Sequence, residues 1–479
     1  MTARVLIAAL LALALAGCGA DEPRLHAGST LESTLVDRDR DGALEAGPGE
    51  PLRDRTELAR AARPGATLVT LAQITDAHVR DEESPARVPF LDRFGGVFRS
   101  TFRPQEALST QVLAASVRTV NALRPAAVFV TGDVIDSAEE VELEQALQVL
   151  DGSRVAPDTG GPGYHGVQAA DRPDPYFHRP DLDAPRHPGL LAAAQRPFRS
   201  PGLAAPWYPA LGNHDVLVQG ETPASARFDA IATGTRMIVG LPRGVEPGAD
   251  TALGPAIDRL LASGTQIEVP ADPRRRHLRP AETIARLTGR DAAPPALRAA
   301  GGRTTLDYAV GLGPGARALV LDTAHRAGGS RGHLSPGQLA WLRAQLAAAD
   351  GRALLVFTHN PLDGTTRGEA ALRALDATPG VVAVIAGNAH RNRITPRAAG
   401  GYWQIGTSSL ADHPQQARAL RLRRTPGGYA LETWMLDHDG QDLAGAAREL
   451  AHLDAQGGRP QGFAGAPDDR NARLHVDAP

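Results

Sequence analysis

Carboxylate, amide and imidazole side chains occur together in five short segments of this 479-residue chain. Asp76 and His78 lie two residues apart, so on an extended backbone their side chains point the same way. Such a mixture of carboxylates and imidazoles suits Mn, Fe or Zn better than calcium, and the segments therefore predict a transition-metal site. The five segments are Asp76-Ala77-His78, Gly132-Asp133, Gly212-Asn213-His214-Asp215, Thr358-His359-Asn360 and Gly387-Asn388-Ala389-His390.

Each of these segments follows an apolar stretch that has the character of a β-strand. Most of the stretches are continuous runs of apolar residues, as expected for strands that are buried on both faces. Helical spacing of apolar residues separates several of them, and this alternation predicts a layered α/β core. The apolar stretches are 68–72, 127–130, 207–211, 354–358 and 381–385.

Two long stretches interrupt the alternation. Residues 151–205 are rich in Gly, Pro and charged residues, and residues 216–302 contain only short helical segments. Insertions of this length are usually functional lids or disordered segments. We therefore expect one catalytic domain over residues 67–436, a preceding linker over 18–66 and a C-terminal extension over 437–479.

The five segments, in this order and at these strand ends, resemble the motif set of the calcineurin-like metallophosphoesterase family. The resemblance covers roughly residues 67–436. It implies an α/β fold in which two mixed β-sheets pack face to face with flanking helices, a four-layer sandwich with the site at the strand ends.

The resemblance also implies a dinuclear metal site that holds two ions, with Mn, Fe or Zn as the candidate metals. The implied ligands are Asp76, His78 and His390 for the first ion, Asp133 as the bridge, and Asn213 and His359 for the second ion.

The mechanism implied by the family is hydrolysis of small-molecule phosphomonoesters or phosphodiesters by a hydroxide that bridges the two ions. The ions lower the pKa of that water and bind the phosphoryl oxygens. His214 would be the catalytic imidazole and would protonate the leaving oxygen, an effect typically worth about 10²–10⁴-fold in rate. Asp215 beside it is expected to orient the imidazole.

One position departs from the family pattern. The last motif normally reads Gly-His-x-His, whereas Asn388 occupies the first His position here. An amide oxygen is a weaker ligand than imidazole for a transition metal. Three interpretations follow: a weakly held second ion, a preference for Mn or Mg over Zn, or an impaired enzyme.

Two alternative functions remain open at this point. Asn388 favours a surface-binding protein that keeps the fold without the chemistry, whereas the intact Asn213-His214-Asp215 motif favours catalysis. A hydrolase that cleaves a pyrophosphate bond is also compatible with the motifs. The expected partner is a small-molecule phosphate ester, because the net charge of −3 excludes a dedicated nucleic-acid binder.

Two residues near the motifs are secondary candidates. Arg391 directly follows His390 and could bind a substrate phosphate through two hydrogen bonds, although a solvent-facing arginine is the ordinary interpretation. Asp136 follows Asp133 by three residues and could either support a ligand or cap the following helix.

The first residues of the chain resemble a bacterial lipoprotein signal. Residues 1–17 combine Arg4 with a short apolar run that ends in Leu15-Ala16-Gly17, and Cys18 follows as the only cysteine of the chain. The resemblance implies cleavage before Cys18 and attachment of lipid to it. We therefore expect an extracytoplasmic protein that is anchored to the membrane by this N-terminal lipid alone.

A calcium-loop pattern is partly present in the predicted linker. Asp37, Asp39 and Asp41, followed by Gly42, match the first half of a loop that binds calcium through oxygen ligands. Position 12, where a bidentate acid is expected, is Pro48. A solvated charged turn is therefore the favoured interpretation of the sequence.

Overall fold

The structure is a computed structural model that describes residues 28–242, 244–245, 262–456 and 463–477. The predicted signal peptide and Cys18 lie outside the described residues. Within the described part of the chain, no helix is long and apolar enough to cross a membrane.

The strands of the described residues form two large sheets and three two-stranded sheets. In chain order they are β1 (Ser33–Val36), β2 (Glu45–Pro48), β3 (Arg53–Arg55), β4 (Thr67–Ile74), β5 (Ala127–Thr131), β6 (Arg154–Val155), β7 (Phe198–Arg199), β8 (Trp207–Ala210), β9 (Arg236–Gly240), β10 (Thr265–Glu268), β11 (Tyr308–Gly311), β12 (Ala316–Leu321), β13 (Ala353–Thr358), β14 (Val381–Ala386), β15 (Arg393–Arg397), β16 (Tyr402–Gly406), β17 (Gln416–Thr425), β18 (Gly428–Asp437) and β19 (Ala472–Asp477).

Both large sheets are mixed. The first has seven strands in the order β3-β19-β18-β17-β4-β5-β8, and β4, β5 and β8 run parallel. The second has six strands in the order β11-β12-β13-β14-β16-β15, and its four central strands run parallel. Strands β5, β13 and β14 are buried along their whole length, which explains their continuous apolar sequences.

The two sheets pack face to face. The rings of Phe129 in β5 and Phe357 in β13 stack with centroids 3.7 Å apart. Polar contacts also join the sheets, since Gln73 Nε2 donates to the Ala386 carbonyl at 3.2 Å and Trp403 Nε1 donates to the His475 carbonyl at 3.1 Å.

Helices cover the outer faces of both sheets. Buried side chains of α1 (Ser109–Leu123) and α2 (Glu140–Asp151) join the core of the first sheet, and those of α7 (Pro336–Ala347) and α8 (Gly368–Asp376) pack on the second. The described helices are α1 (Ser109–Leu123), α2 (Glu140–Asp151), α3 (Leu190–Ala194), α4 (Ala226–Ala232), α5 (Pro280–Thr288), α6 (Pro295–Arg298), α7 (Pro336–Ala347), α8 (Gly368–Asp376), α9 (Leu443–Gln456) and α10 (Pro467–Arg470). The predicted fold class, two mixed sheets between helical layers, is confirmed.

The insertions build a small core of their own. Phe177 from the first insertion packs against Phe102 with ring centroids 4.9 Å apart, and Met237 from β9 is fully buried in the same apolar cluster. The segment that follows the first motif supplies Phe90 and Leu91 to this cluster.

The first sheet extends beyond residues 67–436 at both ends. Strand β19, from the predicted C-terminal extension, lies between β18 and β3, and β3 comes from the predicted linker. Arg53–Arg55 is short and polar and carries no apolar alternation, so this sequence alone does not indicate a strand.

Candidate metal centre

The five motifs lie at the carboxyl ends of five strands, three in the first sheet and two in the second. Because neighbouring parallel strands end at the same edge, the loops after them converge between the packed sheets. Residues that are distant in sequence are thereby brought together. Asp76 and His78 follow β4, Asp133 follows β5, Asn213 and His214 follow β8, His359 follows β13, and Asn388 and His390 follow β14.

A first group of ligand atoms comes from Asp76, His78 and His390. The Nε2 atoms of His78 and His390 are 3.2 Å apart, and His390 Nε2 is 3.4 Å from Asp76 Oδ1. Such separations suit donors that share one ion at about 2.0–2.1 Å each in tetrahedral geometry. These three side chains therefore fit one metal ion.

A second group lies beside the first and shares a carboxylate with it. His359 Nε2 is 3.1 Å from Asp133 Oδ2 and 3.2 Å from Asn213 Oδ1. The same Asp133 oxygen is 3.8 Å from His78 Nε2 in the first group. Asp133 thus lies between the two groups, where a bridging carboxylate would have to be.

In each histidine among the candidate ligands, the ring nitrogen that points away from the metal groups is hydrogen-bonded to an oxygen. His359 Nδ1 bonds to the Thr131 carbonyl at 2.8 Å, His78 Nδ1 bonds to Asp136 Oδ1 at 2.9 Å, and His390 Nδ1 bonds to Asp412 Oδ2. A carbonyl can only accept, so Nδ1 of His359 carries the proton and Nε2 of the neutral ring is left as a metal ligand. This arrangement of outer oxygens is typical of metal-binding histidines.

Several candidate ligands have left-handed backbone conformations that non-glycine residues rarely adopt. Such strain persists only where the surrounding structure fixes it, and it concentrates at functional sites. The positive φ angles are 52° at Asp76, 44° at His78, 47° at Asp133, 62° at Asn388 and 54° at His390.

Two glycines allow the backbone to approach the ligands closely. A Cβ atom at Gly212 would collide with the Asp133 carboxylate, and one at Gly387 would collide with Thr75 and the Asp76 carboxylate. Both positions therefore require glycine for steric reasons, irrespective of their φ angles.

Burial and the neighbouring charges set the protonation of the site. Burial lowers the pKa of His359 and His390, but Asp133 beside the first and Asp76 beside the second raise them to about 10 and about 9. Burial raises the pKa of Asp133, yet the His359 and His214 imidazoles hold it below its usual value. Burial and the nearby His214 lower the pKa of His78 to about 4. The carboxylates therefore stay ionised and attract cations.

His214 differs from the candidate ligands in its exposure. Its side chain is 21% exposed, whereas that of His359 is fully buried. Its Nδ1 bonds to the Asp136 carbonyl at 2.6 Å, and its backbone N–H donates to Asp133 Oδ1 at 2.9 Å. The imidazole is thus fixed beside the metal groups and open towards solvent, where a substrate would enter.

Asp215 is placed differently from the predicted orienting partner. Its carboxylate accepts hydrogen bonds from the backbone N–H groups of Gly212, Val134 and Ile135 at 2.8, 2.9 and 3.2 Å. The Asp136 carbonyl holds the His214 imidazole instead. Asp215 therefore ties the β8 loop to the β5 loop, because its short side chain reaches backbone donors of both.

Asn388 contacts the site through its backbone. Its N–H donates to both oxygens of Asp76, each at 3.1 Å. Among the described contacts, none joins its side-chain amide to Asp133 or His359. The structure thus gives the Asn388 backbone a role in holding Asp76.

Arg391 is exposed next to His390 and lines a cavity of about 180 Å³ together with Arg393. Ala389, between two motif residues, lines the same cavity. The two arginines place positive charge close to the candidate ligand His390.

One residue near the site carries no sequence signal. Asp412 holds His390 and is itself paired with Arg103 at 2.5 Å. It lies in the connection between β16 and β17, outside every motif, so only the folded chain brings it to the site. Asp136, by contrast, was visible in the sequence through its spacing from Asp133.

Comparisons with known proteins give one sequence relative and several distant structural likenesses. The chain is 29% identical over 154 residues to a probable cyclic nucleotide phosphodiesterase of Synechococcus sp. strain WH7803. The match covers 29% of this chain and 58% of that protein, so the chain spans little more than half the length of this relative. No family model matches the chain.

Two solved structures illustrate the structural likenesses. A dimetal phosphatase from Danio rerio is 14% identical with a TM-score of 0.41, and the match covers 78% of this chain and 97% of that one. The sulfate thiohydrolase SoxB of Thermus thermophilus is 13% identical with a TM-score of 0.32, over 83% of this chain and 62% of that one. The sequence relative is named as a phosphodiesterase, which agrees with the resemblance to calcineurin-like metallophosphoesterases that the motifs predict.

Proposed function

We propose that this chain is a metal-dependent hydrolase of phosphoric ester bonds, with phosphodiesters as its first candidate substrates. The observation that supports the proposal best is the convergence of Asp76, His78, Asp133, His359 and His390 into two adjoining ligand groups. A scaffold protein would have no need for strained, buried metal ligands beside an accessible imidazole.

The donor set fits two divalent metal ions. Asp76, His78 and His390 would hold one ion, Asp133 would contact both, and Asn213 and His359 would complete the second. When bound, such ions lower the pKa of a coordinated water and neutralise charge on the phosphoryl oxygens. Mixed carboxylate and imidazole ligands favour Mn, Fe or Zn.

The remaining residues of the site have distinct tasks in this proposal. His214, fixed through Nδ1 by the Asp136 carbonyl, would present Nε2 to the leaving-group oxygen and supply its proton. Asp136 and Asp412 would keep the His78 and His390 rings in place. Arg391 would contact a substrate phosphate oxygen.

The sequence relative supports a diester over a monoester, since it is named as a cyclic nucleotide phosphodiesterase. The second insertion reaches the site through Gly220, whose carbonyl accepts a hydrogen bond from Asn213 Nδ2 at 3.0 Å.

The experiment is a hydrolysis assay on the soluble protein that spans residues 19–479. Chromogenic phosphodiester, phosphomonoester and pyrophosphate substrates would be compared across a Mn²⁺ titration, with His214→Ala as the control. We expect diester hydrolysis that requires metal and falls by about 10²–10⁴-fold in the variant.

The opposite results would redirect the assignment. Preference for pyrophosphate would favour the pyrophosphate-bond hydrolase. Absence of turnover in folded protein at saturating Mn²⁺ would favour a binding protein, with Asn388 as the position at which the second metal site was lost.

We also propose that the catalytic domain is anchored outside the cytoplasm by lipid on Cys18. The Leu15-Ala16-Gly17-Cys18 sequence supports this placement. Mass spectrometry of the N-terminal peptide from membranes should find Cys18 modified, and Cys18→Ala should release the protein. An unmodified Cys18 in the mature protein would contradict the proposal.

A further inference from the structure

Three aspartates of the N-terminal hairpin converge in the structure, away from the candidate metal centre. Asp37, Asp39 and Asp41 lie in the loop between β1 and β2, and each offers a carboxylate oxygen within 4.8 Å of the others. The alternating positions that resemble half of a calcium loop in the sequence thus meet in space.

The Asp37 carboxylate is the fixed part of this group. Its side chain is only 6% exposed. Oδ2 accepts from the Gly42 N–H at 3.2 Å and from Gln456 Nε2 at 3.0 Å, and it lies 3.2 Å from His452 Nε2. Oδ1 is buried and has no hydrogen-bond partner. A buried carboxylate oxygen without a partner is costly, and a cation would satisfy it.

The distribution of charge in the loop also favours a bound cation. Among the described residues, His452 is the only ionisable base in contact with any of the three carboxylates. Arg38, in the same loop, pairs instead with Glu45 at 3.8 Å and donates to the Ala46 carbonyl. Three carboxylates held close together repel one another unless a positive charge lies between them.

We propose that this loop binds a calcium ion and thereby fastens the N-terminal hairpin to helix α9. Carboxylates at positions 1, 3 and 5 with glycine at position 6 are the oxygen ligands and the sharp turn that calcium loops use. The carbonyl of Ala43, at position 7, is the backbone ligand that such loops supply. Water would complete the shell of hard oxygen ligands that calcium prefers.

The hairpin explains why the sequence pattern is incomplete. Pro48, at position 12, is paired with Ser33 in the β1–β2 ladder, so the strands close the loop in place of a second helix. Without the bidentate acid the site has fewer charged ligands. Its dissociation constant is therefore expected at about 10⁻⁴–10⁻³ M, the range of extracellular calcium modules.

Binding at this loop would have a mechanical consequence. Asp37 is joined to His452 and Gln456 of α9, and Leu453 of the same helix packs on Gly42, where a Cβ atom would lie 2.8 Å from its side chain. The ion would hold the tip of the hairpin on this helix. Loss of the ion would free the loop for local opening.

The test uses two natural reporters in the loop, since trypsin cleaves after Arg38 and Arg40. The full chain, loaded with Mn²⁺ to occupy the candidate metal centre, would be titrated with Ca²⁺ in a calorimeter and digested with trypsin. Asp39→Asn/Asp41→Asn is the test variant. Asp291→Asn/Asp350→Asn, which removes the same charge from exposed positions elsewhere, is the matched control.

We expect wild type and the control variant to bind one more Ca²⁺ than the test variant. At ten times the dissociation constant, Ca²⁺ should slow cleavage after Arg38 and Arg40 by about tenfold, without changing cleavage after the exposed Arg186. Equal Ca²⁺ binding in all three proteins would overturn the proposal. Equal protection by Mg²⁺, or protection that persists in the test variant, would also overturn it.

Discussion

Two buried regions of this molecule use the same side chains to opposite effect. At the candidate metal centre, carboxylates face imidazoles and remain ionised. Next to it, five buried acids form what we call the acidic cluster, in which carboxyl groups face one another. The acidic cluster consists of Asp81, Glu82, Glu83, Glu139 and Glu142.

The acidic cluster contains too few bases to keep its members charged. Arg275 pairs with Asp81 at 2.6 Å, and it is 3.7 Å from Glu83. Burial and the neighbouring Asp81 raise the pKa of Glu82 to about 8, and burial and Glu82 raise that of Glu83 to about 9. These groups carry protons at neutral pH and serve as hydrogen-bonding parts of the core.

The difference teaches that acid content alone does not identify a cation site. At the metal centre, His359 and His390 supply charges that stabilise Asp133 and Asp76 in ionised form. A metal ion can then take the place of the imidazole protons. In the acidic cluster, protonation relieves the repulsion between the carboxylates.

The largest effect is expected from Asp133→Asn, which removes the carboxylate shared by both ligand groups. Loss of a general acid–base group typically lowers the rate by about 10²–10⁴-fold, and the loss of activity here should be larger. Steady-state kinetics with saturating Mn²⁺ would measure the loss. Glu82→Gln, the same change in the acidic cluster, is the control and should leave kcat within about twofold. An Asp133→Asn enzyme with near-normal activity would break the contrast between the two regions.

A smaller loss is expected from Asp412→Asn, since Asp412 holds the far nitrogen of His390. Loss of such an outer contact typically lowers metal affinity by about 10–100-fold. The concentration of Mn²⁺ that gives half-maximal activity should rise accordingly, while kcat at saturating metal changes less. Asp376→Asn, which breaks the surface pair with Arg397, provides the control. An unchanged Mn²⁺ requirement would show that Asp412 does not position His390.

Asn388→His tests whether position 388 contributes to binding of the second ion. Histidine tolerates the left-handed backbone of this position, and its imidazole would add the ligand that the family pattern contains. We expect half-maximal activity at about tenfold lower Mn²⁺, judged from the 10–100-fold effects that changes around metal ligands produce. Arg373→His, at an exposed position of α8 outside the ligand groups, serves as the control. An equal or higher Mn²⁺ requirement in Asn388→His would contradict a role for this position in the second site.

The smallest effect concerns stability and pH. The folded pKa of Glu82 lies above its ordinary value of 4.5, so the folded chain keeps a proton that the unfolded chain releases. Stability should therefore fall as pH rises from about 5 to about 8. Glu82→Gln cannot release a proton and should flatten this fall, which thermal melts at pH 6 and pH 8.5 would detect. A variant with the same pH dependence as wild type would show that Glu82 is ionised in the folded state.

Much of the candidate site could be predicted because its residues lie in short motifs at strand ends. Strands β5, β13 and β14 are continuous apolar runs, so both the strands and the ligands after them are readable from local sequence. Asp412 is different, because it reaches His390 only through the folded connection between β16 and β17. Asp215 shows a related limit: its neighbour in sequence is His214, but its hydrogen-bond partners come from two loops.

The central strands of the fold could be predicted for similar reasons, whereas the edge strand β3 and the packing of the insertions could not. Strand β3 has no apolar pattern, and its pairing with β19 depends on residues more than four hundred positions away. The apolar cluster of the insertions likewise combines three distant segments, which include Phe90, Phe177 and Met237. Local sequence carries no signal for such contacts.

Anomalous diffraction at the manganese edge, from crystals grown with Mn²⁺, tests the two-ion site most directly. We expect two peaks, one among Asp76, His78 and His390 and one among Asn213 and His359, with Asp133 contacting both. A single peak or none at these residues, in crystals of protein that hydrolyses no ester, would contradict it.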